Sequence, residues 1–391
     1  CPACWSEFDA GDVYSVARHE SLRGDPILGE DAHLRFLPVR FDDLSHAIDP
    51  MGLPTSEMAC PQCRRTLPPS FLQVRHHILS LVGAPSSGKS YYLSILIKKL
   101  GDALSRYFEL SLSDADPTGN VLLNQMKNRL FSAESPLDAV LAKTALEGSM
   151  YERFPRNGKW VSLPRPFVYR VGQKDKPQDS QALVFYDNAG EHFEPGIDTD
   201  DSPGAMHVAN SSALFFLFDP TANTHFRHRL SQSDDPQITQ KARLDQQDSI
   251  LAEMELRVKK ILGIPIVDKI KKPLFFIVGK ADVLKPLLPF ESFEAPYANG
   301  KLDATAIRSN SEKMREFLLS IDPALVRQVE QFADEVYYFP VSAFGHAPVR
   351  LMAAGRGEML APDPKRLDPW MVEIPALWFL QRVLPDAIKT E

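Results

Sequence analysis

The stretch His76–Leu96, "HHILSLVGAPSSGKSYYLSIL", decides the fold. Its centre, GAPSSGKS, sets Gly83, Gly88, Lys89 and Ser90 at the spacing G-x-x-x-x-G-K-[ST]. Upstream, Ile78, Leu79, Leu81 and Val82 make a short apolar run, the pattern of a strand buried on both faces. Downstream, Leu93, Leu96, Ile97, Leu100 and Leu104 recur at helical spacing. A strand, a glycine-bearing loop and a helix in that order make a phosphate cradle. Gly83 and Gly88 let the backbone wrap an anion, with N–H groups around Ser86, Ser87 and Tyr91 turned toward it, and the helix N-terminus adds its dipole. Lys89 is expected to reach the β- and γ-phosphates and to serve the transfer itself, and Ser90 to ligate Mg²⁺.

Four further apolar segments read as strands. "QALVFYDNAGEHFEPG" starts at Gln181 and carries Asp187-Asn188-Ala189-Gly190, a D-x-x-G match at a strand tip. In P-loop proteins, which this pattern resembles, an Asp at such a tip holds Mg²⁺ through water, and the N–H of the following glycine, here Gly190, can contact a γ-phosphate. Glu191 and His192 follow directly and are the candidates to orient an attacking water. "SALFFLFDP" (Ser212–Pro220) has an apolar middle, "KPLFFIVGKAD" (Lys272–Asp282) ends in Gly279-Lys280-Ala281-Asp282, and "EVYYFPVSAFG" (Glu335–Gly345) carries Val341-Ser342-Ala343.

GAPSSGKS, DNAG, GKAD and VSA, each behind a strand and in that order, resemble the translation-factor-related and Ras-like (TRAFAC) class of P-loop GTPases over about residues 75–385. The resemblance implies an α/β domain with a doubly wound, mainly parallel sheet, ligands at the carboxyl ends of its strands, and GTP and GDP as substrate and product. It implies that the Lys280 stem lies along the base and that Asp282 accepts from guanine N1–H and the N2 amino group. Adenine offers no such donor pair and would leave the carboxylate unpaired. Ser342 and Ala343 correspond to the pair that presents a backbone N–H to guanine O6. Three departures stand out. Position 279 is Gly where the class has Asn or Thr, so that side chain's tie to the phosphate loop is missing. No Thr lies between Ser149 and Lys159 to act as the switch ligand of Mg²⁺, and Thr118 and Thr144 sit far upstream. No Gln follows D-x-x-G. Arg153 and Arg156 are candidates for an arginine finger in cis, the alternative being one supplied by a partner.

The four cysteines come as Cys1-Pro2-Ala3-Cys4 and Cys60-Pro61-Gln62-Cys63, with 55 residues between the knuckles. Each knuckle aims two thiolates at one point, so the pair suits a closed structural Zn²⁺ site. Two disulfides, free thiols or a redox pair are the alternatives, and a cytosolic setting disfavours disulfides. The set is expected to staple residues 1–70 into a small zinc-ribbon module ahead of a P-loop domain at 71–391. A cysteine-paired module fused to such a domain looks like the double-GTPase families of bacterial conflict (antiviral defence) systems.

The chain of 391 residues has a formal net charge of −7, with 44% hydrophobic residues and 32 Pro. That balance argues against broad binding to nucleic acid or anionic membranes; a protein partner is expected instead. No run approaches the ~18 apolar residues of a membrane span, and no apolar signal core follows CPAC, so a cytoplasmic setting is expected. A helical insertion is expected at about 106–157, with helices near Val121–Phe131 and Leu137–Glu147. The segment Lys159–Gly172 reads as one strand pairing with 181–186 across a polar hairpin. Residues 223–237, polar and without period, read as a long mobile loop. An amphipathic helix follows at about Ile238–Leu262, with Ile250, Leu251, Met254, Val258, Ile261 and Leu262 on one face, and a last helix starts near Pro375. Three rival readings remain: an ATPase in which GKAD is coincidental, a nucleotide-binding scaffold without useful turnover, and a nucleic-acid-reading cysteine module.

Overall fold

The computed structural model describes residues 1–68, 71–141, 150–156, 159–173, 175–176, 179–188, 193–194, 203–240, 244, 246–294, 296–353 and 357–391. A seven-stranded sheet forms its centre. In chain order the strands are β1 (Arg75–Val82), β2 (Ser111–Asp114), β3 (Phe167–Gly172), β4 (Gln181–Asp187), β5 (Ala213–Phe218), β6 (Leu274–Val278) and β7 (Val336–Pro340). Their spatial order is β7-β6-β5-β1-β4-β3-β2. The pairs β4·β1, β1·β5, β5·β6 and β6·β7 are parallel, and β3 runs antiparallel to both β4 and β2. The sheet is therefore mainly parallel, and the apolar runs at its centre follow from burial on both faces.

Alternation along the strands sends side chains to two cores. Leu79, Leu81, Leu183, Phe185, Phe215, Leu217, Phe275 and Ile277 pack against α1 (Lys89–Tyr107), α2 (Val121–Phe131) and the last helix, α7 (Ile374–Val383). Leu214, Phe216, Phe218 and Phe276 face the opposite layer, built from α3 (Pro203–Ala209), α4 (Gln246–Leu262), α5 (Ala304–Ile321) and α6 (Pro323–Phe332). Helices on both faces make the sheet doubly wound, as the motif order implied.

The N-terminal residues form a module of short antiparallel strands around Tyr14–Val16, which pairs with Arg35–Phe36 and Met58–Ala59. Hairpins within residues 23–33 and 47–55 fill the interval between the knuckles. The module packs on the sheet face that β3 and β4 present, with Trp5, Val13, Cys60, Cys63 and Leu67 against Val168, Ala182, Val184 and Tyr186. Tyr186 is fully buried there and accepts from Trp5 Nε1 at 3.1 Å while its hydroxyl donates to the Pro2 carbonyl.

Several expectations are corrected. Lys159–Gly172 is not one strand. Pro164 and Pro166 break it, so Lys159–Pro164 pairs with Tyr151–Arg156 in a separate hairpin and only β3 joins the sheet. The insertion after α1 is not purely helical, because its residues 111–114 supply the edge strand β2. Its first helix is present as expected. At 137–141, the described part of the second, the chain makes turns, and 142–149 lie outside the described residues. The segment 223–237 is structured: Asn223 Oδ1 caps a helix at Thr224–Arg229, and Pro236–Thr239 forms another turn of helix. The Arg227 guanidinium donates to the carbonyls of Thr221 at 2.8 Å and Gln240 at 2.9 Å, and also to Gln237 and Ile238, knitting the segment together. The following helix spans Gln246–Leu262 rather than starting at Ile238, and Ile261 and Leu262 are exposed instead of continuing the buried face.

Candidate functional site: a phosphate loop and a facing cleft

The register aligns the carboxyl ends of five strands. Leu81 stands opposite Asp187, Val82 opposite Phe216, Phe218 opposite Val278, and Val278 opposite Pro340. The phosphate loop, Asp187, Gly279–Asp282 and Val341–Ala343 all stand at or directly behind these tips.

The loop 83–88 links β1 to α1. Gly83 is required because a Cβ there would meet the Leu217 carbonyl oxygen at 2.6 Å. Gly88, at φ 95°, and Ser86, at φ 64°, take the left-handed conformations that turn the backbone around a central point. Lys89 is 7% exposed, and its Nζ donates to the carbonyls of Gly83 and Ala84, both at 2.8 Å. The ammonium thus closes over the loop where phosphate oxygens would lie. Ser90 Oγ donates to Asp187 Oδ2 at 2.5 Å, so the two residues expected to share Mg²⁺ already meet. Asp187 and its neighbour Asn188 are each 1% exposed, and the Asn188 Oδ1 has no partner among the described residues. The Ser90 hydroxyl and the Asp187 carboxylate, two hard oxygen donors in contact, fit Mg²⁺. Gly190, Glu191 and His192 lie outside the described residues, as do Thr144 and the side chains of Arg153 and Arg156. Thr118 is exposed on the turn ahead of α2.

Behind β6, the Gly279 N–H donates to the Phe218 carbonyl at 2.8 Å, and a Cβ at 279 would meet Leu217 Cδ1 at 3.0 Å. Lys280 adopts φ 50° and its Nζ pairs with Asp219 Oδ2 at 2.6 Å and Thr221 Oγ1 at 3.2 Å. Asp219 is itself fixed by a reciprocal pair of bonds with the Gln247 carboxamide. Asp282 Oδ1 accepts from Ser342 Oγ at 2.6 Å, and Ser342 Oγ in turn accepts from the Gly345 N–H at 2.8 Å. Burial pushes the Asp282 carboxyl above its ordinary value, and the Ser342 hydrogen bond opposes that rise. Among the described residues the Ala343 N–H has no hydrogen-bond partner.

These groups border one cleft, whose wall includes Ser87, Gly88, Tyr91, Gly279, Lys280, Asp282 and Ala343. Tyr91 meets Phe344 edge to face at 5.1 Å, giving the cleft an aromatic side. Its far wall contains residues that motif reading missed: Gln237, Phe344 and His346. Asp219, the partner of Lys280, was also missed. Phe344 and His346 directly follow Ser342-Ala343, so adjacency was a usable signal for them; nothing local marked Gln237.

In the cysteine module the Sγ atoms of Cys1 and Cys63 are 3.8 Å apart, those of Cys4 and Cys60 3.7 Å apart, and all four lie within 4.8 Å of one another. Four ligands at about 2.3 Å from a tetrahedral zinc stand roughly 3.8 Å apart. The backbone N–H groups of Ala3 and Gln62 donate to Cys1 and Cys60 sulfur, both at 3.4 Å, as thiolate-stabilising turns do. The cluster fits Zn²⁺, and its closed geometry leaves no position for substrate.

No family model matches the chain. One curated relative, described as "Putative ESX-1 scaffolding and assembly protein SaeC" of Mycolicibacterium smegmatis, is 24% identical over 385 residues, spanning 92% of this chain and 87% of that one. Among solved structures, Aquifex aeolicus Era bound to GDP and aluminium fluoride superposes with TM-score 0.27 at 13% identity, over 69% of this chain and 52% of that one. The FeoB G-domain of Methanococcus jannaschii gives 0.27 at 11% identity, over 79% and 99%. Sup35 with GDP gives 0.24 at 10% identity, over 69% and 38%. The match thus spans about half of the Era chain and less of Sup35. Among the described residues no helix is long and apolar enough to cross a membrane.

Proposed function

We propose that the chain is a guanine-nucleotide switch that binds GTP, hydrolyses it slowly to GDP and phosphate, and answers to a protein partner. The observation that carries this reading is a single cleft lined both by Ser87 and Gly88 of the loop and by Lys280, Asp282 and Ala343. In this reading Lys89 and the loop N–H groups hold the phosphates. Ser90 and Asp187 would hold Mg²⁺, which when bound would supply charge neutralisation to the phosphates. Gly190 contacts the γ-phosphate, Glu191 or His192 orients water, and the segment relaxes when phosphate leaves. Asp282 accepts from the guanine N1–H and N2 amino group, and Ala343 donates to O6. Residues 1–70 form a zinc-stapled module on a domain spanning 71–391. The missing Gln and switch Thr support slow turnover that depends on a charge brought by a partner. A role in bacterial defence rests only on the order of module and domain.

Calorimetric titration with GDP, a non-hydrolysable GTP analogue and ADP, each with Mg²⁺, tests the reading. Tight guanine-nucleotide binding without an ADP signal supports it; equal or tighter ADP binding replaces it with an ATPase. A second reading, a nucleotide-dependent scaffold without useful turnover, is favoured by the scaffolding and assembly role in the description of the mycobacterial relative. Single-turnover measurement decides between them: bound GTP recovered intact under every condition would establish the scaffold.

A further inference from the structure

The segment once read as a mobile loop supplies a polar side chain to the cleft. Gln237 is 4% exposed and lines the same wall as Ser87, Gly279, Lys280 and Asp282. Its backbone is committed, the N–H donating to Asp235 Oδ1 at 2.8 Å and the carbonyl accepting from Arg227. Its carboxamide has no hydrogen-bond partner among the described residues. A carboxamide on the cleft lining with no partner in the protein is available to bond a ligand. The position is fixed, because Arg227 donates to four carbonyls around it. The neighbouring Asp235 adds, after burial, to the upward push on Asp282, which places the segment against the base box. A second orphan borders the same cleft. His346 is 8% exposed, its Nδ1 bonds the Ala347 carbonyl at 2.7 Å, and its Nε2 has no partner among the described residues.

We infer that Gln237 is a further specificity-determining residue, whose carboxamide hydrogen-bonds the base edge of the bound purine nucleotide. The inference rests on the nucleotide reading above. A carboxamide both donates and accepts, which matches the mixed edges of a purine. It supplies from another segment a side-chain amide that Gly279 does not provide, and it does so where a Cβ at 279 would press on Leu217.

The test is calorimetric titration of GDP and of inorganic tripolyphosphate, with Mg²⁺, into the wild-type chain, Gln237→Ala and the shape-conserving Gln237→Met. Expected is a roughly three- to tenfold loss of GDP affinity in both variants, the size of one net hydrogen bond, with tripolyphosphate affinity unchanged. Unchanged GDP affinity in a variant that melts with wild-type cooperativity overturns the inference. Equal loss for GDP and tripolyphosphate also overturns it, since the residue would then act only on the loop's shape. If wild type binds tripolyphosphate but not GDP, the base reading itself has failed; if it binds neither, the phosphate reading has.

Discussion

The phosphate end and the base end of the cleft are built in different ways. At the phosphate end a single continuous stretch, Gly83 to Ser90, contains most of the working groups among the described residues, with Asp187 joining from the end of β4. Its contacts are satisfied within the protein: Lys89 on two loop carbonyls, Ser90 on Asp187. At the base end, Gly279–Asp282, Ser342–Phe344 and Gln237 arrive from three separate connections, and several polar groups there have no partner among the described residues. The first is specified by local spacing, the second by the packing of the whole sheet.

The sharpest test of this contrast is Lys89→Ala. Loss of the buried ammonium that faces the phosphates should weaken GDP, ADP and tripolyphosphate by about 100-fold or more, measured by calorimetry. A loss confined to guanine nucleotides would erase the division of labour. Asp282→Ala should do the opposite, weakening GDP about 10- to 100-fold by removing the acceptor of two guanine donors and leaving ADP and tripolyphosphate unchanged; a matched loss of ADP would break the comparison.

Acidity provides a graded version of the same test. Because burial raises the folded-state pKa of Asp282, the carboxylate takes up its proton at a higher pH than an exposed Asp would. Guanine recognition needs the charged form, so the GDP-to-ADP affinity ratio should fall as pH drops toward that raised value, while phosphate titration cancels in the ratio. In the unliganded chain the sign for stability is reversed: the proton is held more tightly in the folded state, so its stabilisation is present at low pH and is lost as pH rises through the folded pKa. A ratio flat between pH 7 and pH 4 would remove Asp282 from base reading. The smallest effect is expected at 279. Gly279→Ala brings a Cβ to 3.0 Å from Leu217 Cδ1 and should cost about 1 kcal/mol of stability in denaturant melts, with GDP affinity little changed. Gly279→Asn that tightens GDP strongly would mean the base end had kept room for the usual side chain.

Legibility followed the same division. β1, β4, β5, β6 and β7 were readable because strands buried on both faces must be apolar, and the loop 83–90 because its residues are consecutive. β2 escaped notice because Ser111-Leu112-Ser113-Asp114 is a polar edge strand recruited by pairing with β3. The break in 159–172 was signalled by Pro164 and Pro166 and outweighed by the apolar residues on either side. The order in 223–240 was invisible to hydrophobic periodicity, since an Asn cap and one arginine bonded to carbonyls hold it. Gln237 was hidden for the same reason. The cysteine knuckles were legible as a pair, whereas the surface their module covers was not, because it is set by β3 and β4.

That coverage has a thermodynamic corollary. Tyr186 points into the cysteine module, fastened to Trp5 and Pro2, and the next residue, Asp187, accepts from Ser90 behind the phosphate loop. Two adjacent peptide units at the end of β4 therefore belong to both sites. Whatever free energy an ion in the module contributes to holding those units in place is offered equally to the ligand of Asp187, and reciprocity requires the nucleotide site to return it in the same amount.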